Sequence, residues 1–265
     1  MTGLIQDFKD FEISHVKALL MRFWLEYRQV VRVQIVRDLL DRLIYLFAFG
    51  FGMGAVVKTM DGMPYLTFLV PGIAASTGVF VMTIAMTYGV YERMTGTKLW
   101  SAWLATPLRL PEILVAELLY ACLRSVPSIL ILFAIALMMG ALPSVWGAVA
   151  SLPIILLANL VFGAVALCFT THIHRSMHFA YVNTLWTTPM FLCSGVFYDV
   201  NQVPGPLQVL ANILPLKHVL SSIRPLMTGQ EINWVTLVTD ISVLLALAVG
   251  AFSYALWRFK NRMIA

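Results

Sequence analysis

Apolar and polar positions alternate along this chain in long blocks. No Asp, Glu, Lys or Arg occurs from Tyr65 to Tyr91, from Ser125 to His174, from Ser176 to Tyr198 or from Ile241 to Trp257, and a helix needs about 20 apolar residues to cross the hydrocarbon of a bilayer. The block 125–174 is too long for one helix, and Gly140, Pro143, Ser144 and Gly147 supply the turn that divides it. The pattern predicts an all-α integral membrane protein with six transmembrane helices, at 33–57, 65–91, 112–139, 147–170, 179–197 and 234–257, forming one transmembrane domain over residues 1–265.

The polar strips carry patterns of their own. In DFKDFEISHVKALLMRFWLEYRQVV, Phe8, Phe11, Val16, Leu19, Leu20, Phe23 and Trp24 stand near helical spacing with charges between them. Residues 1–32 therefore read as an amphipathic helix, either lying in the cytoplasmic interface or packed on the rest of the protein. Arg37 with Asp41, and Asp38 with Arg42, are spaced i,i+4 to pair across one turn, marking a charged cytoplasmic stub of the first span. Residues 198–233 are punctuated by Pro204, Pro206, Pro215 and Pro225 yet hold two apolar-patterned pieces, 206–214 and 216–227. A flexible linker carries fewer Leu, Ile and Val, so two external re-entrant helices between the fifth and sixth spans are expected.

Composition agrees: 60% of the residues are hydrophobic and 12% charged, against about 25% charged in a soluble domain. The net charge of +5 reads as a topology signal, because basic residues near span ends are retained in the cytoplasm. With the N-terminus inside, the cytoplasmic side collects Lys9, Lys17, Arg22, Arg28, Arg32, Arg37, Arg42, Arg93, Lys98, Arg109, Arg175, Arg258, Lys260 and Arg262. The outside receives only Lys58, Lys217 and Arg224, so both termini are placed in the cytoplasm. No compact basic face with stacking aromatics emerges, which argues against nucleic acid. The N-terminal region lacks the apolar core and small-residue cleavage site of a signal peptide. Cys122, Cys168 and Cys193 lie in apolar segments and read as small hydrophobes.

Candidate chemistry is sparse. There is no G-x-x-x-x-G-K-[ST], no G-x-S-x-G and no H-E-x-x-H. His172, His174 and His178 in HIHRSMH are three imidazoles, but their spacing matches no common zinc pattern, and no metal site is expected. Three charges fall inside spans, where charge is costly and therefore informative: Glu117, Arg124 and Asp240. Arg124 stands about 18 Å into the third span at 1.5 Å per residue, and Asp240, descending from the outside, reaches a similar depth. An Arg124–Asp240 salt bridge is expected, with Glu117 too far along the helix to reach Arg124.

The strip ERMTGTKLWSAWLATPLRLP, residues 92–111, separates the second and third spans. A helix leaving the membrane at Glu92 is expected to continue to Gly96, and Thr97 to cap a short helix KLWSAWLA that ends before Thr106-Pro107. Leu99, Trp103 and Leu104 group on one face with Trp100 beside it. Such a face pointing into water wants a groove on another protein, unless its tryptophans anchor at the lipid interface.

ERMTGTKLWSAWLATPLRLPEILVAE resembles the signature of ATP-binding-cassette type-2 exporter permeases, E-R-x-x-G-T-x-x-x-L-x-A-T-P-L, through Glu92, Arg93, Gly96, Thr97, Leu104, Ala105, Thr106, Pro107 and Leu108. SGVFYDVNQVPGPLQVLANILPLKHVLSSIRPL resembles the family's external segment through Ser194, Gly195, Pro204, Leu214, Pro215, Leu216 and Arg224. RMTGTKLWSAWL and LRLPEILVAE are similar to the NodJ-type branch, associated with lipo-oligosaccharide export. The resemblance implies a homodimer of six-span permeases in the bacterial cytoplasmic membrane, with two copies of a separate cytoplasmic ATPase. It implies no cofactor in this chain, ATP and Mg being held by the ATPase. The strip then becomes the coupling helix, contacting the ATPase through Glu92, Arg93, Gly96, Thr97, Lys98, Leu99, Trp100, Trp103, Leu104, Thr106 and Pro107.

The cargo expected is a lipid-linked glycan or another amphipathic molecule, with drugs or phospholipids as the alternative. Tyr88, Tyr91, Trp100 and Trp103 are candidates to stack on sugar rings, and Lys217, His218 and Arg224 to meet anionic groups outside. Interfacial anchoring and headgroup contact account for the same residues. Two other readings stand beside export: a membrane-embedded transferase using His172, His174 and His178, and a passive channel or scaffold.

Overall fold

The computed structural model describes residues 11–264, and Phe8 and Lys9 of the N-terminal pattern lie outside them. The described chain is almost wholly helical. Helix α1 runs unbroken from Ile13 to Tyr45, about 50 Å at 1.5 Å per residue. The expected boundary near residue 32 is absent because no Gly or Pro interrupts 13–45. Its buried stripe begins apolar, with Val16, Leu19, Phe23 and Tyr27, and turns polar at Asp38 and Arg42. A wide turn over Leu46–Met53 follows, in a segment where Gly50, Gly52 and Gly54 loosen the helix. The chain then reverses through a two-residue hairpin, β1 Thr59–Met60 and β2 Met63–Pro64. Asp61 and Gly62 form its turn with φ of 50° and 73°, the pair of left-handed residues that a type I′ turn demands.

Helix α2, Tyr65–Ile84, is the central rod and is buried on nearly every side. Small residues permit this, since helices without bulky side chains approach closely; a Cβ on Gly78 would collide with Asn159. Wide turns at Ala85–Gly89 and Glu92–Gly96 prolong the rod to Gly96. The first of these leaves the Met86 carbonyl free to accept a 2.7 Å bond from Thr170 Oγ1, an outside partner of the kind such bulges need.

After the short helix α3, Leu99–Leu104, come α4, Leu110–Met138, and α5, Val145–His172. Gly140 at φ 68° stops α4, and Ser144 Oγ accepts from Gly147 N at 2.9 Å to cap α5. The 179–197 segment is helical from Phe179 to Cys193: α6, Phe179–Val182, passes through a wide turn, Asn183–Thr187, into α7, Thr188–Cys193, and residues 194–197 leave the helix. Helices α8, Gly205–Ile213, and α9, Pro215–Thr228, follow, and α10, Trp234–Ile264, returns along the bundle.

Among the described residues, four helices are long and apolar enough to cross a membrane: Tyr65–Gly96, Leu110–Met138, Val145–His172 and Trp234–Arg262. Helix α1 packs along α4, whereas α10 packs along α5 and α9. That arrangement separates the charges expected to pair. Arg124 on α4 donates to Gln34 Oε1 on α1 at 3.0 Å. Asp240 on α10 instead accepts from Ser221 and lies 2.7 Å from His218 Nδ1 on α9. The Arg124–Asp240 bridge does not form, because the two residues face different neighbours.

Candidate functional site

The strip after α2 is held by backbone geometry first. Thr97 N donates to Glu92 O at 2.8 Å, closing a wide turn, and the Thr97 hydroxyl returns to the same carbonyl at 3.3 Å. Thr97 therefore does not cap α3. Lys98 occupies that place in the left-handed region, φ 54° and ψ 26°, with no side-chain cap, a conformation that strains a residue bearing a Cβ. The Glu92 carboxylate folds over Gly96, so a Cβ there would have to push that exposed side chain aside. At the far end Thr106 N donates to Trp103 O at 3.0 Å, and Pro107 prevents further helix.

The two tryptophans point inward, contrary to the apolar outer face expected. Trp100 is 0% and Trp103 7% exposed. Trp100 stacks at a tilt on Phe259 of α10, 5.3 Å between centroids. Trp103 meets Phe23 of α1 edge-on at 5.8 Å and lies under the Arg22 guanidinium at 4.9 Å. Leu99 and Leu104 are partly buried against the same core. The surface left outward is Gly96, Thr97, Lys98, Ser101, Ala102, Ala105, Thr106 and Pro107. It is a narrow ridge of small side chains with the longer Lys98 at its start.

A buried carboxylate ties this ridge to the bundle. Glu117, fully buried on α4, accepts from Arg93 Nε at 2.6 Å and from Arg93 Nη2, and from Trp100 Nε1 at 3.4 Å. The two-pronged guanidinium contact fixes angle as well as distance. One side chain on α4 thus holds both the wide turn at the end of α2 and the start of α3. A second buried carboxylate, Glu112, accepts at 2.9 Å from each of Arg109 N, Glu12 N and His15 Nδ1, fastening the start of α1 to the start of α4. Glu112 stands three residues after Arg109 with Pro111 between, the position from which an acidic side chain reaches back to a helix start; that spacing was readable. The Arg93–Glu117 contact was not, since 24 residues separate its ends.

The other candidates are scattered. Tyr91 OH donates to His174 O at 2.8 Å, and Tyr88 and Tyr91 both meet Phe179 edge-on. Trp100 and Trp103, locked inside, are unavailable to stack on sugar. His172 lies 3.1 Å from Tyr254 OH through Nε2 and 2.9 Å from Cys168 O through Nδ1, while His178 sits beside Tyr181. Among the described residues no three His, Cys, Asp or Glu gather as a metal site, and the three histidines are held by different partners.

On the opposite face, Lys217 and Arg224 line an open cavity of about 260 Å³ with Asp61, Asp199, Asn201 and Gln208. Arg224 donates to Gly195 O at 2.9 Å and lies 3.8 Å over the Phe68 ring. Burial lowers its guanidinium to about 10. His218 is turned away toward Asp240.

A family model described as ABC-2 type transporter matches residues 14–228. The chain is 32% identical over 247 residues to Nodulation protein J of Rhizobium meliloti strain 1021, covering 93% of each. It is 30% identical over 250 residues to Nodulation protein J of Sinorhizobium fredii strain NGR234, covering 94% of each. The same protein of Rhizobium leguminosarum bv. viciae matches at 32% over 248 residues, 93% of this chain and 94% of the relative.

Proposed function

This chain belongs to the ABC-2 type transporter family, a multi-pass membrane subunit of an ABC exporter, and from that premise we propose that its ridge from Gly96 to Pro107 receives the stroke of a separate cytoplasmic ATPase. The observation carrying this reading is the two-sided build of α3. Its outward side bears only small groups at Ser101, Ala102 and Ala105, which admit close approach by another protein's groove, and its inward side is clamped by Glu117 and Phe259.

A displacement of α3 is passed on through two rigid links. Trp100 and Arg93 carry it to Glu117 and so to α4, and the continuous rod from Tyr65 to Gly96 carries it to α2. ATP, bound with Mg by the partner, acts by favouring one arrangement of the two ATPases over another, since a ligand shifts an equilibrium only through differential affinity. This chain's own part is to stay stiff between ridge and bundle.

In the same proposal the chain forms a homodimer. Helix α1 with its wide turn, and the segmented stretch α6–α7, serve as the first and fifth of six spans with both termini cytoplasmic, an orientation supported by the Lys and Arg distribution. The cargo is a lipid-linked glycan. Support comes from the outer cavity, whose amides, carboxylates and lysine suit the hydroxyls of a sugar chain, and from relatives named for nodulation. Drugs or phospholipids are the alternative, and they have less use for such a polar exit.

The test is co-purification of the chain with its candidate ATPase in lipid, followed by ATP hydrolysis with glycolipid, phospholipid and drug panels. Ala102→Trp, filling the ridge, should reduce cargo-stimulated hydrolysis at least tenfold with the unfolding temperature unchanged. Unaltered stimulation would remove the coupling role from this strip.

A further inference from the structure

The buried stripe of α1 turns polar where a membrane helix should not. Arg42 is 8% exposed, and its Nε has no hydrogen-bond partner. Arg124 of α4 reaches Gln34 through Nη2 while its own Nε is likewise unpartnered. The neighbouring acids are already engaged, Asp38 accepting from Ser128 and Asp41 lying 3.7 Å from Arg37. Three guanidiniums thus face two committed carboxylates around a cleft of about 240 Å³, closed on its far side by Phe80 and Ile84 of α2.

Burying cations at bilayer depth with unfilled donors is costly, and a guanidinium fork is shaped for the oxygens of phosphate or sulfate. The cleft also continues into a second feature. Val33, Val36, Leu40 and Ile44 form an exposed apolar face of α1 that runs beside it and shares Arg37 and Asp41 with it. A charged cleft beside an exposed apolar helix face suits a head group and its chain.

We propose that α1, α2 and α4 form a binding site for an anionic amphiphile. The oxyanion head lies between Arg42 and Arg124, and an acyl chain runs along Val33 to Ile44. The site rests on the reading that α1 lies in the bilayer, and it needs no ATPase, so its failure would leave the coupling role standing.

Native mass spectrometry of the purified, delipidated full chain tests it, with phosphatidylglycerol, phosphatidylcholine of the same chains, and inorganic phosphate as probes. One phosphatidylglycerol per chain should bind at least tenfold tighter than phosphatidylcholine. Arg42→Gln and Arg124→Gln should each bring it down to the phosphatidylcholine level. Arg42→Lys should keep most of the preference, and inorganic phosphate should compete only at far higher concentration than the lipid. Leu40→Glu, which leaves the arginines in place, should weaken the lipid at least fivefold and serves if the arginine variants do not fold. Equal binding of the two lipids, undiminished binding by Arg124→Gln, or competition by phosphate as effective as by lipid would overturn the site. So would a photo-crosslinker at Leu40 that captures a second copy of the chain in place of lipid.

Discussion

Glu117 and Lys98 carry the most information per residue. Glu117 is a fully buried carboxylate with one guanidinium beside it, that of Arg93, whose side chain is 20% exposed. Removing one partner of such a pair leaves the other uncompensated, at a cost of about 3 kcal/mol. Glu117→Ala should therefore lower the unfolding temperature in detergent markedly. Replacing both partners, Glu117→Leu with Arg93→Met, should recover most of that stability while leaving stimulated hydrolysis lost, because stiffness of the link and stability of the fold are separate quantities. Lys98 tests backbone strain: Lys98→Gly should stabilise or be neutral, whereas Lys98→Val should destabilise by about 1–2 kcal/mol, read as denaturation midpoints of the same purified chain.

Among the elements, α1 and α3 show what local pattern conveys and where it stops. The turn between α4 and α5 was legible because Gly140 and Ser144 act on their own backbone neighbours. The length of α1 was missed, since residues 1–32 and 33–57 read as separate elements although no Gly or Pro interrupts 13–45. Arg37 and Asp41 lie 3.7 Å apart on the exposed side as their spacing expects, whereas Asp38 is buried and accepts from Ser128, 90 residues away, a relation no local period records. The tryptophans of α3 misled for a similar reason. An apolar face seeks burial, and the sequence does not say whether its own bundle or another protein supplies it; Phe23 and Phe259 supply it here. The separate partners of Arg124 and Asp240 carry their own prediction: exchanging the two residues for one another should not rescue either single variant, as measured by transport and yield, and recovery would mean that the two side chains meet.

For the whole molecule, an apolar composition and, among the described residues, four long apolar helices fit a multi-pass membrane subunit, and in the proposed function the ridge at Gly96–Pro107 is its point of drive. Membership of the ABC-2 type transporter family was legible in the strip and in the external segment, because both motifs are short and contiguous. The internal wiring was not, because Arg93, Trp100 and Glu117 become neighbours only after α2, α3 and α4 have packed. The most direct test is the distance from the turn before α3 to α4 in the assembled transporter, with spin labels at Thr95, an exposed position just outside the ridge, and at Leu123, an exposed position on α4. In the native chain that distance should hold constant through ATP binding and hydrolysis, and in the Glu117→Leu, Arg93→Met variant it should broaden as stimulated hydrolysis falls. A native ridge that moves freely against α4 while transport proceeds would contradict the rigid link.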